Sequence, residues 1–328
     1  MKPAYPLLFS LLLVQSSPAQ EASVGLPVLG FAFDSTRSAI RPLLGIPGAA
    51  ILGEPLDPGF KMVSAAIAPQ QDFALAQAEG AGLRLVSWSA RKVAVLPLDQ
   101  ATASPERIFF SPSGSAAILL SNQSPDRLQI LTALPLHPAV EEIDISALSS
   151  PLGHVAVSDD GKLVIVAGAS DSAVWLFNSA RNQVMLPLSG AGAVFSFRRD
   201  SHDAAAVSSA GDFYLLRNLD DAPAMRSIAP TAEQSAGAVG LWFTDNGARA
   251  FAASATGNIT AVDFVTGATQ SIACQCAPTS IQPLGRGMFR LTDVSSRPVM
   301  VFDGSAPESR VWFVPPDRPQ TAQAGGAQ

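Results

Sequence analysis

Three histidines, two cysteines and a few paired carboxylates are the residues of this chain with the means to do chemistry. His202 stands between Asp200 and Asp203, and a histidine beside carboxylates is the start of a general base. The same neighbours also make an ordinary solvated polar turn, which is the favoured reading. His154 opens what reads as an inner strand and could face a central channel, though packing is the simpler role. His137 lies in the loop Pro135-Leu136-His137-Pro138. The three are far apart in sequence and show no metal-ligand spacing. Glu141-Glu142, Asp159-Asp160 and Asp220-Asp221 are adjacent pairs. Neighbours on a strand diverge, so turns explain them better than a shared catalytic site. No Gly-x-Ser-x-Gly elbow, phosphate-cradling glycine loop or calcium-loop spacing is present. No catalytic residue, metal or cofactor is expected.

Cys274 and Cys276 form a Cys-Gln-Cys run. Strand residues two apart share a face but sit near the upper limit of Cα separation for a disulfide. A local disulfide or two loop thiols is favoured over a metal or redox site and over a link to a partner.

These residues sit on a repeating frame. A short apolar run, a tight polar turn and a second apolar run recur roughly every 42 residues from Val63 to Pro315. Ser111-Pro112-Ser113-Gly114, Ser158-Asp159-Asp160-Gly161 and Thr244-Asp245-Asn246-Gly247 are the clearest turns. Arg198-Arg199-Asp200-Ser201, Pro69-Gln70-Gln71-Asp72 and Leu284-Gly285-Arg286-Gly287 are weaker copies. The steps from Gly114 through Gly161, Ser201 and Gly247 to Gly287 are 47, 40, 46 and 40 residues. Glycine recurs because such a turn needs positive φ. The flanking runs are too short for helices and rich in strand formers. A second hairpin follows each first one, as in Ala173–Asn178 with Gln183–Leu188. Each unit therefore reads as four antiparallel strands, and strand repeats of this length point to an all-β β-propeller.

Ser158-Asp159-Asp160-Gly161-Lys162-Leu163-Val164-Ile165-Val166, followed by Ala173-Val174-Trp175-Leu176-Phe177-Asn178, resembles the bacterial YVTN and WD40-like propeller repeats. The resemblance covers most of the chain. It implies a propeller and no particular activity. No Trp-Asp dipeptide, Gly-His pair or Tyr-Val-Thr-Asn run occupies the expected place.

Six full units start near Val63, Glu106, Gly153, Ala193, Gly240 and Thr279. Before them, Leu29–Asp34 and Ala39–Leu44 match the second hairpin of a blade, with Ile46–Gly53 able to add a third strand. Seven blades with an incomplete N-terminal blade is the favoured architecture. Six blades with an N-terminal hairpin covering an edge is the alternative. Residues 1–19 have the basic start, apolar Leu7–Val14 stretch and small residues before Gln20 of a secretory signal peptide. Residues 20–314 form the propeller, and 315–328, rich in Pro, Gln, Gly and Ala, a disordered tail.

Charged residues make up only 15% of the chain, the net charge is −6 and there is no basic stripe. Nucleic acid and anionic lipid are poor partners for such a surface. No later run is long enough to span a bilayer. A monomer exported to the periplasm or beyond is expected. The resemblance implies that ligands meet one face, made by the loops between the two hairpins of each blade and the loops joining blades. There Glu79, Asp126, Arg127, Asp171, Asp212, Asn258 and Asp293 form a mildly acidic ring, a candidate docking face. An exported scaffold binding another macromolecule leads. The alternative is a lactonase-like hydrolase or quinoprotein-like oxidoreductase with its site in the channel.

Overall fold

A computed structural model describes residues 26–317, apart from 90–91, 122–125, 149–151, 170–172, 179, 181, 189–190, 229–234 and 307. The proposed signal peptide and most of the expected tail lie outside the described residues. Seven antiparallel sheets stand around an axis as a seven-bladed β-propeller. Blade 1 holds β1 (Val28–Asp34), β2 (Ala39–Ile46) and β3 (Ala49–Leu52). Blade 2 holds β4 (Met62–Ile67), β5 (Phe73–Ala78), β6 (Gly82–Ser89) and β7 (Lys92–Pro97). Blade 3 holds β8 (Arg107–Phe110), β9 (Ala117–Leu120), β10 (Arg127–Thr132) and β11 (Ala139–Asp144). Blade 4 holds β12 (Leu152–Val157), β13 (Val164–Gly168), β14 (Val174–Phe177) and β15 (Gln183–Leu186). Blade 5 holds β16 (Val194–Phe197), β17 (Ala204–Val207), β18 (Phe213–Arg217) and β19 (Ala224–Ile228). Blade 6 holds β20 (Ala238–Phe243), β21 (Arg249–Ser254), β22 (Asn258–Asp263) and β23 (Thr269–Ala273). Blade 7 holds β24 (Gln282–Gly285), β25 (Met288–Arg290), β26 (Val299–Asp303) and β27 (Arg310–Val314). Each blade runs inner to outer in sequence order.

The apolar runs are continuous because each sheet is covered on both faces. In β5, Phe73 and Leu75 pack towards blade 3, while Ala74 and Ala76 pack towards blade 1. Alanines such as Ala204–Ala206 are fully buried where sheets converge on the axis. Fully buried phenylalanines, among them Phe177, Phe197, Phe251 and Phe302, fill the wider spaces between blades. The buried apolar residues fall into seven clusters, one for each junction between neighbouring blades.

Blade 1 departs from the sequence expectation in phase. It has three strands, but β1 is an inner strand, seated between β4 and β24. The N-terminal segment is thus a first hairpin plus a third strand, and the strand it lacks is the outermost. Matching Leu29–Asp34 to a second hairpin fails because both hairpins of a blade share the same apolar alternation; only the neighbours across the ring separate them. No fourth strand turns back along β3; the chain runs on beside β2. Gly53 N–H donates to the Pro42 carbonyl and Leu56 N–H to that of Ile40. Leu56 and Phe60 then pack into the junction with blade 2, and the Arg84 guanidinium lies 4.9 Å from the Phe60 ring centre.

No sheet mixes strands from both ends of the chain; one isolated backbone bridge, Asp34 with Val294, and a set of side chains close the ring. Leu29, Leu43 and Ala50 of blade 1 pack on Val299, Val301 and Trp312 of blade 7. Gln71, from the β4–β5 turn, accepts from Phe31 N–H at 2.6 Å and donates to the Pro283 carbonyl at 2.7 Å. Buried Arg41 donates to Asp34 at 3.0 Å, to Asp317 at 2.7 and 3.1 Å and to the Gly53 carbonyl at 2.8 Å. Asp317, which falls within the segment expected to be a tail, brings its carboxylate to the buried Arg41 guanidinium.

Candidate functional site

The inner strands enclose a central channel with a cavity of about 680 Å³. An inner strand leaves one row of backbone N–H and C=O groups without a ladder partner. Here side chains from the preceding blade reach over and bond several of them. Arg107 of β8 donates to the Gly153 and Leu152 carbonyls of blade 4, both at 2.7 Å. His154 of β12 accepts from Phe195 N–H of blade 5 through Nδ1 at 3.3 Å. Gln71 does the same for blades 1 and 7.

The lining is mostly apolar. Phe31, Phe33, Phe109, Phe195 and Trp242 face the cavity, and its ionisable residues are Arg107, His154 and Arg290. Among the described residues, no carboxylate lines it. The Arg107 guanidinium stacks over Phe109 at 5.4 Å. The His154 ring sits between Phe109, 5.3 Å away and edge-on, and Phe195, 6.1 Å away. Burial pushes the His154 pKa down to about 4, and the Arg107 charge pushes the same way. His154 is therefore a neutral imidazole at physiological pH, and its Nδ1 bond leaves the proton on Nε2. Arg290 is held by Asp293, at 2.7 Å, and by the Thr292 carbonyl.

Six of the seven ring residues lie at one end of the channel, in or beside the turns between the second and third strands of blades 2, 3, 5, 6 and 7. Asp171 belongs to the corresponding turn of blade 4 but lies outside the described residues. The others have local partners. Glu79 pairs with Lys61 at 3.0 Å, Arg127 with Glu142 at 2.9 Å and Asp293 with Arg290. Asp212 accepts from Ser208 at 3.3 Å. The Asp126 carbonyl accepts from Ile145 N–H, and Asn258 pairs with Ala273 in the β22–β23 ladder. The ring residues do not converge on one point.

The end also carries apolar surface. Leu26, Ile46, Ile51 and Val63 are each more than half exposed, and Val28 nearly so. Val28, Leu44 and Ile51 are successive register partners across blade 1, and Ile46 pairs with Ala49 in the next row. Val28, Ile46 and Ile51 lie on the three-stranded sheet of blade 1, Leu26 precedes its first strand, and Val63 is on β4 of the neighbouring blade.

Cys274 and Cys276, just beyond β23, are joined by a disulfide with Cα atoms 5.1 Å apart. They come within reach because the chain has left the strand: Gln275 adopts a left-handed φ of 52°. Cys274 N–H donates to the Gly257 carbonyl, and a Cβ on Gly257 would meet the Cys276 carbonyl.

At the opposite end, the conspicuous carboxylates tie blades together. Asp159 Oδ1 accepts from Ser113 N–H at 2.7 Å and Ser113 Oγ at 2.6 Å, while Oδ2 accepts from Asp200 N–H at 2.7 Å. One carboxylate thus links three successive turns, so Asp159 is more than a solvated turn residue. His202 is also more than that. Its ring lies 3.0 Å from Asp160 and 3.1 Å from Asp220. Partial burial opposes protonation, but the two carboxylates outweigh it and raise the His202 pKa. The links between blades are not legible in the sequence, because Ser113 and Asp159, Asp159 and Asp200, and Asp160 and His202 are 41–46 residues apart and meet only when blades stack.

No protein family matches this sequence, and no curated protein does. Among solved structures, the chain is similar to a functionally unknown protein from Desulfotomaculum acetoxidans DSM 771. That match has 12% identity and a TM-score of 0.58, and covers 88% of this chain and all of that one. A more distant likeness is to the β-propeller domain of Cps50 (Swd1) from Myceliophteria thermophila. It has 14% identity and a TM-score of 0.45, covering 64% of this chain and 70% of that one. At these identities the likeness concerns the fold. No helix among the described residues is long and apolar enough to cross a membrane.

Proposed function

We propose that this protein is an exported propeller scaffold that docks another protein through the end carrying the turns between second and third strands. The apolar patch of Leu26, Val28, Ile46, Ile51 and Val63 carries the reading. It gives an anchor of exposed aliphatic side chains, of which Val28, Ile46 and Ile51 are neighbours on the blade 1 sheet. The polar turns at the same end, with Glu79, Asp126, Arg127, Asp212, Asn258 and Asp293, supply a rim. An apolar centre with a polar surround is how protein interfaces are built. Clustered exposed aliphatic residues mark interaction sites more often than plain surface. Export rests on the basic start, apolar stretch and small residues of the first nineteen positions.

The test is affinity capture from the envelope and secreted fractions of the producing organism. Wild-type protein is compared with an Ile46→Asp/Ile51→Asp double variant whose folding is verified by circular dichroism. The reading expects a stoichiometric partner on the wild type that the variant loses. A partner retained equally by both, or none on either, counts against it. N-terminal sequencing of the secreted protein should begin at Gln20; retention of Met1 in a cytoplasmic fraction would overturn the export reading.

A further inference from the structure

The channel carries an unneutralised charge, and this is independent of the docking face. Arg107 has no carboxylate within salt-bridge distance among the described residues, whereas Arg41, Arg127, Arg198, Arg290 and Arg310 each have one. Two of its five guanidinium N–H groups are bonded to the Leu152 and Gly153 carbonyls. Those bonds and the face of Phe109 fix its plane against the channel wall. Arg107 is half-buried, and a cation partly withdrawn from water beside an apolar wall without a counter-ion carries a cost that an opposite charge would offset. The surrounding chain has a net charge of −6 and many carboxylates, yet none among the described residues lines the cavity. The other ionisable group near the Arg107 charge is neutral His154, whose Nε2–H adds a donor.

We propose that the channel is a binding site for a small amphipathic carboxylate: a flat or extended apolar body with one acid group. The acid pairs with Arg107, whose planar fork suits a carboxylate. The apolar body lies against Phe109, Phe195 and Trp242. The cavity, at about 680 Å³, is within the range of sites that enclose a drug-sized molecule. A neutral apolar ligand would leave the Arg107 charge uncompensated. A dianion would exceed the charge available, since Arg290 already pairs with Asp293.

The experiment titrates purified protein with 2-naphthoate and with its uncharged counterpart 2-naphthylmethanol, following tryptophan emission and isothermal heat. Trp242 in the channel wall is the expected reporter, so Trp242→Phe should remove the emission change but keep the heat of binding. Saturable binding of the acid is expected, at least about tenfold tighter than the alcohol, as suits loss of one charge-assisted hydrogen bond. Arg107→Met should abolish that preference. If Arg107→Met does not fold, the wild-type acid-against-alcohol comparison still decides. Equal binding of acid and alcohol, an undiminished preference in folded Arg107→Met, or no saturable acid binding below about 1 mM would each overturn the proposal.

Discussion

Replacing Arg41 with methionine tests how the ring is closed. Arg41 and Asp34 are both almost fully buried, with side chains only 4% and 3% exposed. Asp34 Oδ1 is already served by Thr36 N–H, Thr36 Oγ1 and Arg37 N–H. Its Oδ2 has Arg41, at 3.0 Å. Burial works against the Asp34 charge, yet the bonds from Thr36 and Arg41 prevail and hold its pKa below the usual carboxylate range. Methionine keeps the apolar stem but strands this carboxylate and the Gly53 carbonyl. Breaking a buried pair from one side costs about 3–5 kcal/mol, because the partner charge is left uncompensated. Unfolding entropy of about 2.1 cal/mol/K per residue over about 290 residues converts this to roughly 5–8 °C in Tm. Asp317 is 35% exposed, so Asp317→Asn should cost about 1 kcal/mol or less. The double variant Arg41→Met/Asp34→Asn should recover part of the Arg41→Met loss. Urea unfolding and thermal melts at neutral pH read all three. An Arg41→Met loss below about 1 kcal/mol, or an Asp317→Asn loss as large as that of Arg41→Met, would refute the account. The sign with pH follows from the depressed Asp34 pKa: the cluster's contribution is present above the unfolded carboxylate pKa and fades as pH falls below it.

Two further perturbations address the lumen and the turn network. His154 is neutral in the folded protein with a pKa of about 4, against 6.5 for the unfolded chain, so the unfolded state binds the extra proton between these values. Stability should rise with pH across that window, by up to about 3 kcal/mol from this residue, and His154→Phe should flatten that limb in urea titrations at stepped pH. His202 acts in the opposite sense: its raised pKa gives stability that is full below 6.5 and lost as pH climbs through the folded value. Asp159→Ala removes the acceptor for Ser113 and Asp200 and should cost about 2 kcal/mol, with faster amide exchange at Ser113 and Asp200; unchanged exchange there would show that the carboxylate does not hold the turns.

The repeat was legible because each blade obeys local rules. Gly114, Gly161 and Gly247 sit at positive φ in their turns, and apolar runs on either side name the strands. In blade 2 the register is one residue away from the sequence alignment. Gln71, not Asp72, occupies the positive-φ place, at 65°. A glutamine there is unfavourable for the turn alone, and only its bonds to Phe31 and Pro283 across the ring account for it. The inner position of β1 was hidden for the same reason. Composition registers that a strand is covered on both faces but not by which neighbours. The candidate ring of turn residues followed from the repeat phase, whereas the cavity lining did not. Phe109, His154 and Phe195 come from three units at positions that differ along their strands, and they meet through curvature about the axis.

A closed ring of sheets has no exposed outer ladder to complete at its centre, so its inner edges need another solution. Arg107 and His154 bond backbone groups of the next blade at those edges, and Gln71 bonds those of the two blades before its own. The same side chains give the lumen its polarity. A structural need therefore places hydrogen-bonding groups in an apolar channel before any ligand is considered. Arg107 goes beyond that need. Two carbonyls could be satisfied by an amide such as that of Gln71, without holding a half-buried charge against an apolar wall. Glutamine and arginine solve the edge problem in the same ring with different chemistry, and the charge is what the edge does not require. That residual charge is the part of the channel that a ligand, rather than the fold, has to account for.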